Sequence, residues 1–317
     1  MTELTPPPGP AATVRERALW AVDAARFAPS KRNTQPWAFA VAADGTVDVY
    51  ADATRALRVS DPDERELTIG CGAALHTYAV ALRGLGVRPV VTWLPEGDDG
   101  PLGRVAQGGR VVPSADDVAL LAAVPARHSA RGRVDASTLD TGVPPALQRA
   151  AESEGALLQL VTAPGSREAL AALHRAAADA AAANVAYAAE QRVWSRPFGS
   201  AARDGVPRVV TSGPPYGARA AALLESEDRA LPAVLWTAND TQADWLRAGA
   251  ALQAVLLRAT LLGVAAAIAS GPLERPALRV AVRRHVGYAG FPQVLLRFGT
   301  VAHALATPRR PLAEVVR

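Results

Sequence analysis

Three stretches of this sequence carry side chains whose types and spacing could do chemistry. The first is Ala28-Pro29-Ser30-Lys31-Arg32-Asn33-Thr34-Gln35-Pro36-Trp37. Two prolines stiffen its backbone. Between them Ser30, Asn33 and Gln35 offer a hydroxyl and two planar amides. Such groups suit a flat heteroaromatic ring with alternating donors and acceptors; they are also ordinary turn chemistry. The second stretch is Arg127-His128-Ser129-Ala130-Arg131. In extended chain Arg127, Ser129 and Arg131 project to one side. Two guanidinium forks and a hydroxyl suit a phosphate monoester, although a solvated basic linker would read the same way. The third is Arg309-Arg310 near the C-terminus, which in isolation is a solvated pair.

Other chemistries find little support. A single cysteine, Cys71, excludes an intrachain disulfide and a cysteine zinc cluster. The five histidines include no pair at helical metal-binding spacing. Gly70-Cys71-Gly72 has two glycines before a helix, but Leu75 fills the place of the third small residue, so a Rossmann site is not expected. Cys71 itself falls on an apolar helix and reads as a buried, inert thiol. Neither GxxxxGK[ST] nor GxSxG occurs. The net charge of +4 is mild and the arginines are scattered. With aromatics at 5%, nucleic-acid binding is not expected. No run of about 20 apolar residues occurs, which argues against a membrane span. The N-terminus lacks the basic start and apolar core of an export signal, so a cytoplasmic location is expected.

The elements that must position these groups are legible in part. Thr13 and Glu16 form a capping box that opens a first helix, which ends near Ala28 ahead of Pro29. Residues 37–42 and 47–50 flank Asp44-Gly45, a hairpin signal. Residues 66–86 read as a long helix, 88–94 as a strand, and 96–100 as a loop. Ser114 and Asp117 cap a helix through Ala123. Pro144-Pro145 starts a helix that stops at Gly155. A strand at 157–161 precedes one long helix over 166–191. Residues 192–230 show no periodicity, and a loop of that length is functional or mobile. Strands are expected at 232–237 and 294–298, with a helix opened by Thr241 and Asp244 between them.

Residues 72–87 (GAALHTYAVALRGLGV) match residues 249–264 (GAALQAVLLRATLLGV) without gaps, and seven of the sixteen pairs are identical. Two similar buried helices would account for this. So would duplication of one α/β unit, which the similar strand and loop signals of the two halves favour.

Taken together, the first string resembles the flavin loop of the nitroreductase family of FMN oxidoreductases, and Arg127-x-Ser129-x-Arg131 resembles that family's phosphate motif. The whole chain after residue 13 is most similar to the Acg-like subfamily, in which two nitroreductase-like units are fused. Further strings that carry the resemblance are Asp61-Pro62, Arg65-Glu66-Leu67, Leu235-Trp236-Thr237, Trp245-Leu246-Arg247-Ala248-Gly249 and Thr307-Pro308-Arg309-Arg310-Pro311. The resemblance implies an α+β nitroreductase-like fold with two related α/β halves forming an internal pseudo-dimer. The expected division is a disordered or extended lead-in at 1–12, a first half at 13–123, and a second half at 124–317 with a lid at 192–230. It implies one FMN site. Pro29, Ser30, Asn33 and Gln35 would come from the first half, and Arg127, Ser129, Arg131, Ser270, Gly271, Arg309 and Arg310 from the second. The implied activity is hydride transfer from NAD(P)H to the flavin and on to nitroaromatic or quinone-like acceptors, by a monomer. The alternative is a protein that shelters FMN beneath the lid. Arg196, Arg203, Arg208 and Arg219 on that stretch could equally meet a nicotinamide phosphate.

Overall fold

The capping box at Thr13 opens α1 (Val14–Ala25). Glu16 N–H donates to Thr13 Oγ1 at 3.2 Å, and Thr13 N–H donates to the Glu16 carboxylate at 2.7 Å. The computed structural model describes residues 3–97, 100–131, 134–197, 200–208, 229–301 and 306–317. Thr5 anchors the lead-in on α1. Its hydroxyl donates to Asp23 at 2.8 Å, and its carbonyl accepts from the Trp20 indole, also at 2.8 Å. The hairpin forms as β1 (Trp37–Val41) and β2 (Val47–Ala51), with Gly45 at φ +79° in the turn, where a glycine is the favoured residue. Alternation buries Trp37 and Phe39.

Helix α2 (Arg65–Gly84) is buried on almost every side. Next come β3 (Val87–Trp93), β4 (Gly103–Arg110) and α3 (Ala115–Ala126). Strand β4 carries no local signal, because three of its eight residues are Gly103, Gly108 and Gly109. Its register is set by ladders to β2 on one side and β3 on the other.

The later chain runs α4 (Val143–Glu152), β5 (Leu157–Leu160), α5 (Pro164–Ala182) and α6 (Val185–Val193). The single helix expected over 166–191 is thus two. Asn184 takes an extended backbone, and its side chain accepts the Tyr187 N–H at 3.0 Å, capping a new helix where the old one stops. Strands β6 (Ser195–Pro197) and β7 (Val206–Arg208) pair in parallel within the stretch read as a lid. Residues 209–228 of that stretch, Arg219 included, lie outside the described residues. The chain continues through β8 (Leu231–Thr237), α7 (Gln242–Leu261), β9 (Ala265–Ile268), a 3₁₀ turn over Gly271–Glu274, α8 (Pro276–Val286), β10 (Phe291–Gly299) and α9 (Leu312–Val315). Neither β9 nor α8 was anticipated.

Two antiparallel four-stranded sheets result, ordered β1-β2-β4-β3 and β5-β8-β10-β9. Counted along the chain within each sheet, the two strand orders are the same, and in each a long helix, α2 or α7, joins the second strand to the third. Helices α2 and α7 pack against each other between the sheets. Gly72 abuts the Leu246 backbone and Gly249 abuts the backbones of Ile69 and Ala73, too closely for a Cβ at either glycine. These glycines are the matched first residues of the two similar helical strings. Across the contact, Leu246 and Leu257 enter the core around β1 and β2, while Ile69 enters the core around β8 and β10. The tail then crosses back. Val315 is buried in the first core, and Arg317 N–H donates to Phe39 O at 2.9 Å beside β1.

No helix among the described residues is long and apolar enough to cross a membrane.

Candidate functional site

Helix α1 ends at the loop over residues 28–37, and that loop is strained. Arg32, Asn33 and Gln35 sit at φ 50°, 55° and 51°. For L-residues other than glycine the left-handed region costs roughly 1–2 kcal/mol each, less for Asn. Such strain persists only where surroundings over-determine it, and it clusters at functional sites. Here the surroundings are specific. Ser30 Oγ accepts the Gln35 N–H at 2.9 Å and closes the loop on itself. Asn33 Nδ2 donates to Gly205 O at 3.1 Å and to Pro308 O at 3.0 Å. Gln35 Nε2 donates to Arg203 O at 2.9 Å, and its Oε1 accepts the Arg310 N–H at 2.8 Å. The amides read as ring partners therefore hold the 203–205 segment and the C-terminal tail. Pro29 is buried at the loop entrance.

Arg127 and Arg309 reach the same loop from opposite ends of the later chain. Arg127 Nη2 and Arg309 Nη2 both donate to Phe27 O at 3.2 Å. Arg127 Nη1 also donates to Ser129 Oγ at 3.4 Å, and Arg309 Nη1 lies 3.4 Å from Asn33 Oδ1. The 127–131 segment is extended. It lies along β9, where Ala130 N–H donates to Ala266 O at 2.8 Å. Arg127 thus meets Phe27, just before the 28–37 loop, and Arg309 meets both Phe27 and Asn33 of the loop.

The electrostatics of this meeting point are one-sided. Arg127 and Arg309 are almost fully buried, and neither has a carboxylate partner among the described residues. Burial, then the charge of Arg131, pushes Arg127 down to about 10. Burial, then Arg127, Arg26 and Arg131, pushes Arg309 down to about 9. The same burial and the same arginines hold His128 below its usual range. The Nε atoms of Arg127 and Arg309 are buried without a hydrogen-bond partner. Buried cations pressing on one another, with donors left over, fit an anion seated between them. Arg310 faces elsewhere. Its guanidinium meets Asp52 at 3.5 Å and Glu314 at 3.6 Å, so it braces the loop rather than joining the cluster.

Ser270 and Gly271 follow β9 directly. Ser270 Oγ accepts the Leu295 N–H at 3.2 Å, and a Cβ on Gly271 would meet nothing nearer than Ala177 at 3.9 Å, so space lies open beside that turn. The turn is joined to the 28–37 loop by Lys31, whose Nζ lies 3.1 Å from Glu274 and 3.1 Å from Glu66. Although burial opposes its charge, these carboxylates hold the ammonium above its usual range. Beyond Glu274 a cavity of about 330 Å³ opens, lined among others by Asp61, Arg65, Asp240 and Trp245. The roles of Lys31, Glu274 and Arg26 carry no local signal in the sequence. Lys31 lies inside the quoted loop, but nothing local indicates its partners.

No family model matches the chain. The Mycobacterium tuberculosis protein named "Putative NAD(P)H nitroreductase Rv3131" is 34% identical over 306 residues, covering 91% of this chain and 88% of that protein. The chain belongs to the NAD(P)H nitroreductase family. A second family member from M. tuberculosis, named "Putative NAD(P)H nitroreductase acg", is 30% identical over 321 residues, 93% of each chain. Among solved structures, the FMN-dependent nitroreductase NfnB from Mycobacterium smegmatis in complex with NADPH is 17% identical, with a TM-score of 0.44 over 63% of this chain and 97% of that one. A nitroreductase with bound FMN from Desulfitobacterium hafniense is 14% identical, with a TM-score of 0.42 over 61% and 94%. Family membership agrees with the α+β nitroreductase-like fold expected from the motifs, and with the Acg-like resemblance in particular.

Proposed function

We propose that this nitroreductase-family chain is an FMN-dependent oxidoreductase that takes hydride from NAD(P)H and passes electrons to nitroaromatic or quinone-like acceptors. The observation that carries the reading is the buried pair Arg127 and Arg309 converging on the carbonyl of Phe27, at the entrance of the strained 28–37 loop. Arg127, Ser129, Arg131 and Arg309 would hold the phosphate. Ser30 would face the ring, Asn33 and Gln35 would keep the loop in shape through their bonds to the 203–205 segment and the tail, and the backbone N–H groups around Ser270 and Gly271 would face the ring's reactive edge. Bound FMN supplies hydride acceptance and electron transfer, so the protein itself needs no nucleophile or metal. The protein's own tasks are charge neutralisation, ring orientation and water exclusion. Pro29 fixes the loop entrance, and Arg310 steadies Gln35. Relatives named as NAD(P)H nitroreductases support the same reading.

The site would need both halves of the chain. Residues 13–123 and 124–317 read as two fused nitroreductase-like units after a lead-in at 1–12. The shared strand order and the matched glycines Gly72 and Gly249 support this. The chain would then act as a monomer with an internal pseudo-dimer interface and one complete site.

A second reading has its own observation. Asn33 and Gln35 spend their amide hydrogens on the carbonyls of Arg203, Gly205 and Pro308, and Asp204 between the first two is bridged by Arg55 at 3.1 Å and by Arg196 at 2.6 Å. A segment fastened in this way would shelter a bound flavin from reductant. One experiment separates the two readings. The purified protein is loaded with FMN, and NADPH is added anaerobically. Bleaching within seconds supports the oxidoreductase. Flavin that dithionite reduces and NADPH does not supports the sheltering role. Failure to bind FMN at all sinks both.

A further inference from the structure

The ammonium of Lys31 has three hydrogens, and each has a partner: Glu66 and Glu274 at 3.1 Å each, and Ser60 O at 2.8 Å. The side chain is only 11% exposed, and those of Glu66 and Glu274 are 12% and 13%. Buried ion pairs of this kind do little for net stability, but breaking one leaves an uncompensated charge inside the protein. Their attested use is to fix geometry.

What Lys31 fixes follows from where its partners sit. Lys31 is the residue after Ser30 in the strained loop. Glu274 ends the turn that begins at Gly271. Glu66 lies in the first turn of α2, where Asp61 accepts the Glu66 and Leu67 N–H groups at 3.0 and 2.8 Å. The Tyr187 phenol from α6 also lies beside Glu274, and Arg32 lies over the Tyr187 ring at 4.9 Å. One buried carboxylate therefore ties together the loop, the turn and the helix that leads into the 195–208 segment.

We propose that Lys31 is a positioning residue for the flavin ring, pinning the 28–37 loop to the Gly271–Glu274 turn through Glu274 so that loop and turn keep one spacing. The inference rests on the FMN reading. It also separates the two ends of the ligand. The phosphate cluster of Arg127 and Arg309 is anchored on Phe27 and does not involve Lys31, so loss of the pin should be felt by the ring alone.

Riboflavin, which lacks the phosphate, makes that distinction measurable. Binding of FMN and riboflavin is titrated for the parent protein and for the Lys31→Met, Glu274→Gln and Arg127→Met variants, and the visible spectrum of bound flavin is recorded. Lys31→Met is expected to weaken both ligands by the same factor, about ten-fold, the scale of one ring hydrogen bond lost. The bound-flavin spectrum is expected to shift. Glu274→Gln breaks the same pair more gently and should weaken both ligands equally by a smaller factor; it decides the matter if Lys31→Met does not fold. Arg127→Met is expected to weaken FMN and spare riboflavin. Parent-like binding and spectrum in the folded pin variants, or a loss confined to FMN, would overturn the pin while leaving the FMN reading intact. A parent protein that binds neither ligand refutes the FMN reading and the pin with it.

Discussion

Replacing Arg127 with methionine should strengthen the flavin-free fold and weaken flavin binding, two opposite signs from one substitution. The reasoning starts from burial. Arg127 is 3% exposed, and burial together with Arg131 pushes it down to about 10. A fall of that size corresponds to about 3 kcal/mol spent on keeping the guanidinium charged in the empty fold. Methionine keeps the aliphatic stem and removes the charge. The loss on the other side is small. Phe27 O still accepts from Arg309 at 3.2 Å, and the 3.4 Å contact to Ser129 is long. Hydrogen bonds from a charged donor are worth roughly 1.5–3 kcal/mol, so the net gain should be up to about 1.5 kcal/mol. With FMN present the same charged contact is missing, which should weaken binding by roughly 10–150-fold.

The guanidinium stays charged across the working pH range, so the penalty and the variant's gain should persist throughout it. Urea unfolding of flavin-stripped protein, with FMN titration calorimetry beside it, reads both effects. A variant less stable than the parent at neutral pH would mean the cluster is a structural brace and no anion seat.

Gly72→Ala places a methyl against the Leu246 backbone where helices α2 and α7 touch. Backbone cannot step aside as a side chain can, so urea unfolding should show a loss of about 3 kcal/mol or more; a loss under about 1 kcal/mol would mean the helices separate freely. Asp204→Asn weakens the bridges to Arg55 and Arg196 that fasten the 203–205 segment. Stopped-flow reduction by NADPH should become faster if that segment gates the flavin, and an unchanged rate removes it as a gate. Cys71 is fully buried, its Sγ lies 3.5 Å from Pro36 O, and burial pushes its thiol well above the usual range. A thiol reagent should therefore label it only on unfolding, and Cys71→Ser should leave flavin content unchanged; rapid labelling of native protein would contradict the packing of α2.

The sequence alone determined those features whose causes are local. Thr13 with Glu16, Ser114 with Asp117 and Thr241 with Asp244 each opened a helix because a cap needs only residues three apart. Asp44-Gly45 set a hairpin because a turn with positive φ wants glycine. The motif strings announced the family, and the repeated GAAL…LGV strings fall on α2 and α7, the two helices that pack on each other at Gly72 and Gly249. Tertiary structure decided what depends on distant partners. Strand β4 exists because β2 and β3 offer ladders on both sides, which its glycines could not reveal. The helix break at Asn184 needed its cap more than its alanine-rich flanks needed continuity. Arg309 and Arg310 are adjacent and look equivalent in sequence, yet one enters a cluster of buried cations and the other meets Asp52 and Glu314. Side-chain charge is written in the sequence, but its partners and its distance from water are set only when remote segments pack together. For that reason the pairing of Lys31 with Glu274, more than two hundred residues away, was invisible until the chain was folded.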